Sequence, residues 1–95
     1  MNTNPLVSIL IPIYNVEKYL GKCLDSVFSQ TYKNVEFVFV DDCSTDNSYN
    51  VLISSIKQNN IPEYKYTIVS HKQNEGIAVS RADCIANAKG EYVQF

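Results

Sequence analysis

Two hydrophobic periods take turns along this chain. Val7-Ser8-Ile9-Leu10-Ile11-Pro12-Ile13-Tyr14 is a short, nearly continuous apolar run, and Val35-Glu36-Phe37-Val38-Phe39-Val40 is another. Runs of this length, rich in β-branched and aromatic residues, predict strands buried on both faces, as in parallel sheets. Pro12 closes the first, because it cannot donate to a central ladder. Between the runs, Val16, Tyr19, Leu20, Cys23, Leu24, Val27 and Phe28 recur at helical spacing. They predict a helix of about four turns, with Asn15 as its cap.

After the second run ends at Asp41, Ser44 or Thr45 stands where it can cap a second helix, and Asp46 in its first turn suits the helix dipole. Tyr49, Leu52, Ile53 and Ile56 form its buried stripe, and Asn59-Asn60 with Pro62 stop it. Tyr64-Lys65-Tyr66-Thr67-Ile68-Val69 predicts a third, more polar strand. A third helix runs from near Gly76 to Ala88, with Ala78, Ala82, Ile85 and Ala86 as a small-residue face toward a sheet. Gly90 supplies a left-handed cap, and Glu91 to Phe95 begin a fourth strand. The order β-α-β-α-β-α-β predicts an α/β fold: an open, mainly parallel sheet with right-handed crossovers and helices on both faces. Residues 1–95 read as a single unit, and a chain that stops inside a strand reads as a piece of a longer domain.

Charge and composition narrow the function. The net charge is −2 and Arg81 is the only arginine, so no basic surface invites nucleic acid. The longest apolar stretch falls far short of a membrane span. Residues 1–5 lack the basic-then-apolar order of a signal peptide, so a cytoplasmic chain is expected, with membrane contact only through a parent protein. Cys23, Cys43 and Cys84 are widely spaced with no Cys-x-x-Cys pair. Cys23 and Cys84 fall on apolar helix faces and read as small packing residues.

The candidate chemistry sits at Asp41-Asp42, where the second apolar run ends in adjacent carboxylates. Ligands of open α/β sheets bind beyond the carboxyl ends of the strands. The plainer reading is a solvated strand end that only caps the next helix. His71, without a Cys or His neighbour, reads as a surface or hydrogen-bonded histidine. Asp42-x-x-x-Asp46 lacks the glycine and terminal glutamate of a calcium loop. No Gly-x-Gly-x-x-Gly follows the first strand, which argues against a dinucleotide enzyme. The third strand ends without a phosphorylatable aspartate, which argues against a phosphoacceptor module.

Five segments, in this order and spacing, resemble a known family. They are Val7 to Asn15, Leu24-Asp25-Ser26-Val27-Phe28-Ser29-Gln30-Thr31-Tyr32, Asp41-Asp42-Cys43-Ser44-Thr45-Asp46, Asn74-Glu75-Gly76 with Ser80-Arg81, and Ala88-Lys89-Gly90-Glu91-Tyr92. Over residues 5 to 95 the chain resembles the N-terminal, nucleotide-sugar-binding half of family-two inverting glycosyltransferases, which have the GT-A fold.

The resemblance implies roles. Asp42 would accept a hydrogen bond from the nucleotide base, typically uracil, whose N3–H a carboxylate can take; cytosine has no such proton. Tyr14 would stack on the base, and Pro12 and Ile13 would offer backbone groups. Arg81 would grip the diphosphate, Gly76 would let the backbone come close, and Asp41 would support the turn or the ribose. The partners implied are a nucleotide-sugar donor, UDP-sugar foremost, and a glycan, lipid-linked or other hydroxyl acceptor. Mg²⁺ or Mn²⁺ would come with an acidic motif beyond Phe95, so the chain by itself would bind donor without transferring sugar. Cys43 stands where the family usually has glycine, and Ala82 and Cys84 replace an asparagine and a glycine. The alternative is a catalytically inactive nucleotide-binding or interaction module of α/β type.

Overall fold

The structure is a computed structural model that describes residues 5–95; the expectation of a leaderless polar start falls mostly on residues 1–4, outside them. Four strands, β1 (Val7–Ile13), β2 (Val35–Asp41), β3 (Tyr66–Ser70) and β4 (Tyr92–Gln94), form one sheet in the order β3-β2-β1-β4. All three pairings are parallel, with Val7 beside Val35 and Phe37 beside Tyr66. Three helices connect them: α1 (Glu17–Phe28), α2 (Ser48–Gln58) and α3 (Ile77–Asn87). A single 3₁₀ turn, Glu63–Lys65, takes the first residues expected of the third strand.

The two central strands are buried on both faces, and period 2 sorts their side chains. Ile9, Ile13, Val35, Phe37 and Phe39 face Leu20 and Leu24 of α1 and Leu52 and Ile56 of α2. Phe37 and Phe39 lie nearly parallel, and Phe28 meets each edge-on, at 5.0 and 6.3 Å between centroids. Leu10, Val38 and Val40 face Cys84 of α3 on the other side. The expected α/β architecture with helices on both faces is present.

Some helix details differ from the sequence reading. Tyr19 is 73% exposed and Cys23 is exposed, so the buried stripe of α1 is narrower than its periodicity suggests. Tyr49 is also exposed, whereas Cys84 is fully buried, which pushes its thiol pKa up to about 11. In α3 the inward residues are Ser80 and Cys84, while Ala78, Ala82, Ile85 and Ala86 face out. Alanine fits either side of a helix, so it carries no orientation; the anchoring of the helix start decides the face. Gly90 is not a left-handed cap, since Gly76 alone among the described glycines has positive φ. Gly90 is needed for close approach: a Cβ there would lie 2.7 Å from the Leu6 carbonyl oxygen and 2.8 Å from the Ser8 nitrogen.

Candidate nucleotide-binding site

In the strand order β3-β2-β1-β4, the chain steps outward from β1 to β3 and then returns to the far side of β1. Such reversals open a crevice beyond the carboxyl ends of the strands. A cleft of about 340 Å³ lies there. Its walls hold Pro12, Ile13 and Tyr14 from the end of β1, Asp42 just past β2, and Gly76 at the start of α3. Five of the seven residues expected at the site therefore meet in one place. Val16, Asn74, Ile77 and Ser80 complete the lining.

The other two expected residues lie elsewhere. Asp41 is buried, and its Oδ1 accepts the Ser44 hydroxyl at 2.6 Å and the Ser44 N–H at 3.3 Å. Of its two expected tasks it performs the turn. Arg81 does not line the cleft; its guanidinium carbon stands 5.3 Å from the centre of the Phe95 ring. Arg81 follows Ser80 by one residue, and an α-helix turns about 100° per residue, so with Ser80 inward it is carried away from the cleft wall.

Asp42 is 3% exposed, and its carboxylate is held by three donors. Oδ1 accepts the Glu75 N–H at 2.7 Å and faces Nδ1 of His71 at 2.9 Å, and Oδ2 accepts the Gly76 N–H at 2.9 Å. Burial by itself would raise the Asp42 pKa, but the Glu75 N–H, the His71 ring and the Gly76 N–H outweigh it and hold it below the ordinary carboxylate value. The same two backbone N–H groups anchor the entry to α3. Gly76 takes φ 93° and ψ 165°, a region essentially restricted to glycine, and so turns the chain toward the carboxylate.

His71 was readable in sequence only as a hydrogen-bonded histidine; its partners come from the fold. Its Nε2 meets Asp83 Oδ2 at 2.6 Å while Nδ1 meets Asp42, and Glu75 lies 3.8 Å away. The bond to Asp42, then that to Asp83, raise the His71 pKa against its burial. A ring that donates from both nitrogens is an imidazolium.

The turn after β2 is joined to the one after β1. Cys43, where the family usually has glycine, takes the left-handed conformation, φ 58°, that a glycine would adopt freely. Asn15 also has positive φ and does not cap α1 as expected. Its amide pairs with Thr45 instead, accepting the Thr45 N–H at 2.8 Å. The first N–H groups of this turn and helix go to the neighbouring loop: Asn15 to Ser44 Oγ, Val16 to Ser48 Oγ, Glu17 to Asp46.

Ser80 Oγ is buried with no hydrogen-bond partner among the described residues, on the cleft side of α3. Sequence offers no signal for it, because a serine inside a helix looks the same whether or not its hydroxyl is paired. Among the described residues no group of three or more His, Cys, Asp or Glu side chains could hold a metal ion. No helix of the described residues is long and apolar enough to cross a membrane.

Comparison with known families decides the lineage. The chain matches the model of Glycosyl transferase family 2 over residues 8–95. It belongs to that family. It is 38% identical over 89 residues to glycosyltransferase GlyA of Streptococcus pneumoniae serotype 4, covering 94% of this chain and 12% of the relative. With glycosyltransferase GlyG of the same organism it shares 40% identity, covering 93% and 28%. Among solved structures, a Pyrobaculum calidifontis mannosyltransferase in complex with GDP-Man and Mn²⁺ aligns with a TM-score of 0.85 at 26% identity, over 97% of this chain and 27% of that one. Staphylococcus aureus TarS in complex with UDP-GlcNAc aligns at 0.80 and 29%, over 94% and 25%. The chain thus spans between about an eighth and somewhat over a quarter of the length of these relatives.

Proposed function

We propose that this protein is the donor-binding part of an inverting glycosyltransferase that takes a UDP-sugar and delivers the sugar to a glycan, lipid-linked or other hydroxyl acceptor. The observation that carries the reading is the single cleft beyond β1 and β2 that collects Pro12, Ile13, Tyr14, Asp42 and Gly76. Tyr14, 45% exposed, offers a ring at the cleft rim for stacking on the base.

The hydrogen-bond inventory of Asp42 favours the uracil base. An ionised carboxylate has about four acceptor positions, two on each oxygen. Oδ1 has both occupied, by Glu75 and His71, and Oδ2 has one occupied, by Gly76. One position remains, on Oδ2. Uracil needs one, for N3–H. Guanine pairing side-on through N1–H and N2–H needs one on each oxygen, and cytosine offers no ring N–H at all.

In the proposed reaction the acceptor hydroxyl oxygen bonds to the anomeric carbon as the bond to the diphosphate oxygen breaks; the nucleoside diphosphate departs and the hydroxyl proton passes to a general base supplied by the complete enzyme. Among the described residues Asp42 and Tyr14 are the only titratable groups lining the cleft, and Asp42 is occupied by three donors, so this cleft recognises and orients the donor. The relative caught with GDP-Man and Mn²⁺ supports use of a divalent cation by the complete enzyme. Among the described residues no group of three or more His, Cys, Asp or Glu side chains could hold such an ion.

Titration calorimetry with UDP and CDP tests the reading. UDP should bind more tightly than CDP by about tenfold, the value of one good hydrogen bond to a charged group. Asp42→Ala should erase that preference. Equal affinities for the two nucleotides in the wild type would refute it.

A further inference from the structure

His71 does not line the cleft, but its ring meets Asp42, which does. The ring is 6% exposed and lies between two carboxylates from different elements, Asp42 at the end of β2 and Asp83 on α3. Glu75, from the loop before α3, is the third carboxylate facing it. Lys72, next in the chain, is exposed, and Arg81 of α3 lies over Phe95. The charged groups that act on the ring among the described residues are the carboxylates Asp42, Asp83 and Glu75.

We propose that His71 is the positioning residue for the base-reading carboxylate: its imidazolium, clamped between Asp42 and Asp83, fixes Asp42 so that one acceptor position on Oδ2 stays open to the nucleotide. The inference rests on Asp42 being the base reader. The geometry leads to it directly. A neutral imidazole has one N–H, so loss of the proton turns a lone pair toward one of the two carboxylates. Either Oδ1 of Asp42 loses the ring as a donor and keeps only the Glu75 N–H, or Asp83 releases the far side of the ring, and in both cases the two-sided clamp is lost. Deprotonation also adds one negative charge to the cluster next to a site for an anionic donor. Both effects make the protonated ring the binding-competent form.

Linkage supplies the test. If the imidazolium form binds nucleotide more tightly, nucleotide must raise the His71 pKa by the logarithm of the affinity ratio. The His71 ring is followed by NMR across pH, free and saturated with UDP, and again with uridine, which carries the base without phosphate. UDP affinity is measured in parallel for wild type, Asp42→Ala and His71→Gln.

Both ligands are expected to raise the His71 pKa by about half a unit or more, equivalent to about threefold tighter binding by the protonated form. Wild-type affinity should fall as pH rises through that pKa. His71→Gln should bind several-fold more weakly with a flatter profile, and it provides the baseline for titration of the phosphates themselves. An unmoved or lowered His71 pKa, or a rise with UDP and none with uridine, would overturn the positioning role, while weak UDP binding by Asp42→Ala would leave base reading by Asp42 intact. No UDP binding by the wild type, or unchanged binding by Asp42→Ala, would overturn both. Should His71→Gln fail to fold, the wild-type titrations decide the matter.

Discussion

The carboxylate of Asp46 accepts the backbone N–H of Glu17, the first residue of α1, at 3.2 Å, and its other oxygen accepts the N–H of Ser48, the first residue of α2, at 2.9 Å. One side chain thus serves the starts of two helices, each of which leaves N–H groups without partners inside the helix. The Ser48 hydroxyl is foremost in holding the Asp46 pKa below the ordinary carboxylate value, and the Ser48 and Glu17 N–H groups add to it. Asp46→Ala should lower Tm by several degrees, and by more than Asp25→Ala on the exposed face of α1. Thermal melts of the two variants compare them directly. A lowered carboxyl pKa stabilises the fold above the unfolded value and loses that support as pH falls through the folded one, so the gap between the variants should close in acid.

Asp42 and His71 set opposite edges of a stability window. Asp42, with its pKa lowered, supports the fold above the usual carboxylate value of about 4 and fails as pH drops through its folded pKa. His71, with its pKa raised, contributes fully below about 6.5 and loses its contribution as pH climbs through its folded value. Urea melts across pH should therefore show greatest stability on the mildly acidic side. In His71→Gln the decline toward alkaline pH should vanish. A wild-type optimum above pH 8 would contradict the imidazolium assignment.

Gly90 brings the loop after α3 against the start of β1. Its N–H donates to Ser8 Oγ at 2.8 Å, and the neighbouring Lys89 N–H and the Ser8 hydroxyl both reach the buried Glu36 carboxylate. Because the Cβ of alanine would meet backbone atoms at 2.7 and 2.8 Å, Gly90→Ala should cost about 1–3 kcal/mol as an overpacking change. Chemical denaturation measures it. Gly76→Ala meets no atom within 4 Å, so its cost, also about 1–3 kcal/mol, comes from φ alone.

Phe39 is fully buried and packs with Phe28 and Phe37 in a three-ring group. Phe39→Ala should destabilise by about 3–5 kcal/mol, through lost transfer energy and the cavity left behind. For a chain this small that is a large share of the total, and the variant should be partly unfolded at 37 °C by circular dichroism.

Ser80→Ala is expected to behave otherwise. Its hydroxyl is buried and has no partner among the described residues, and removing an unsatisfied polar group relieves a desolvation cost, so Tm should hold or rise. A clear fall in Tm would reveal a partner for the hydroxyl that the structure does not show.

How much of this was written in the chain itself can be judged residue by residue. The apolar runs at Val7–Ile13 and Val35–Asp41 announce buried parallel strands, because a strand covered on both faces has no polar side to reveal. Pro12, Ile13, Tyr14 and Gly76 are singled out only by the family resemblance, whereas the helices follow from spacing and Asp42 from its place just past a strand end. Local periodicity carries that information, and it survives without the fold. What periodicity cannot carry is which distant group answers a polar atom. Asn15 and Thr45 are 30 residues apart and Asp42 and Gly76 34, and only the parallel register of β1 and β2 brings such loops together. The inward face of α3, the removal of Arg81 from the cleft and the His71 bridge were likewise decided by tertiary packing, since alanine, arginine and histidine are each compatible with several environments until their neighbours are in place.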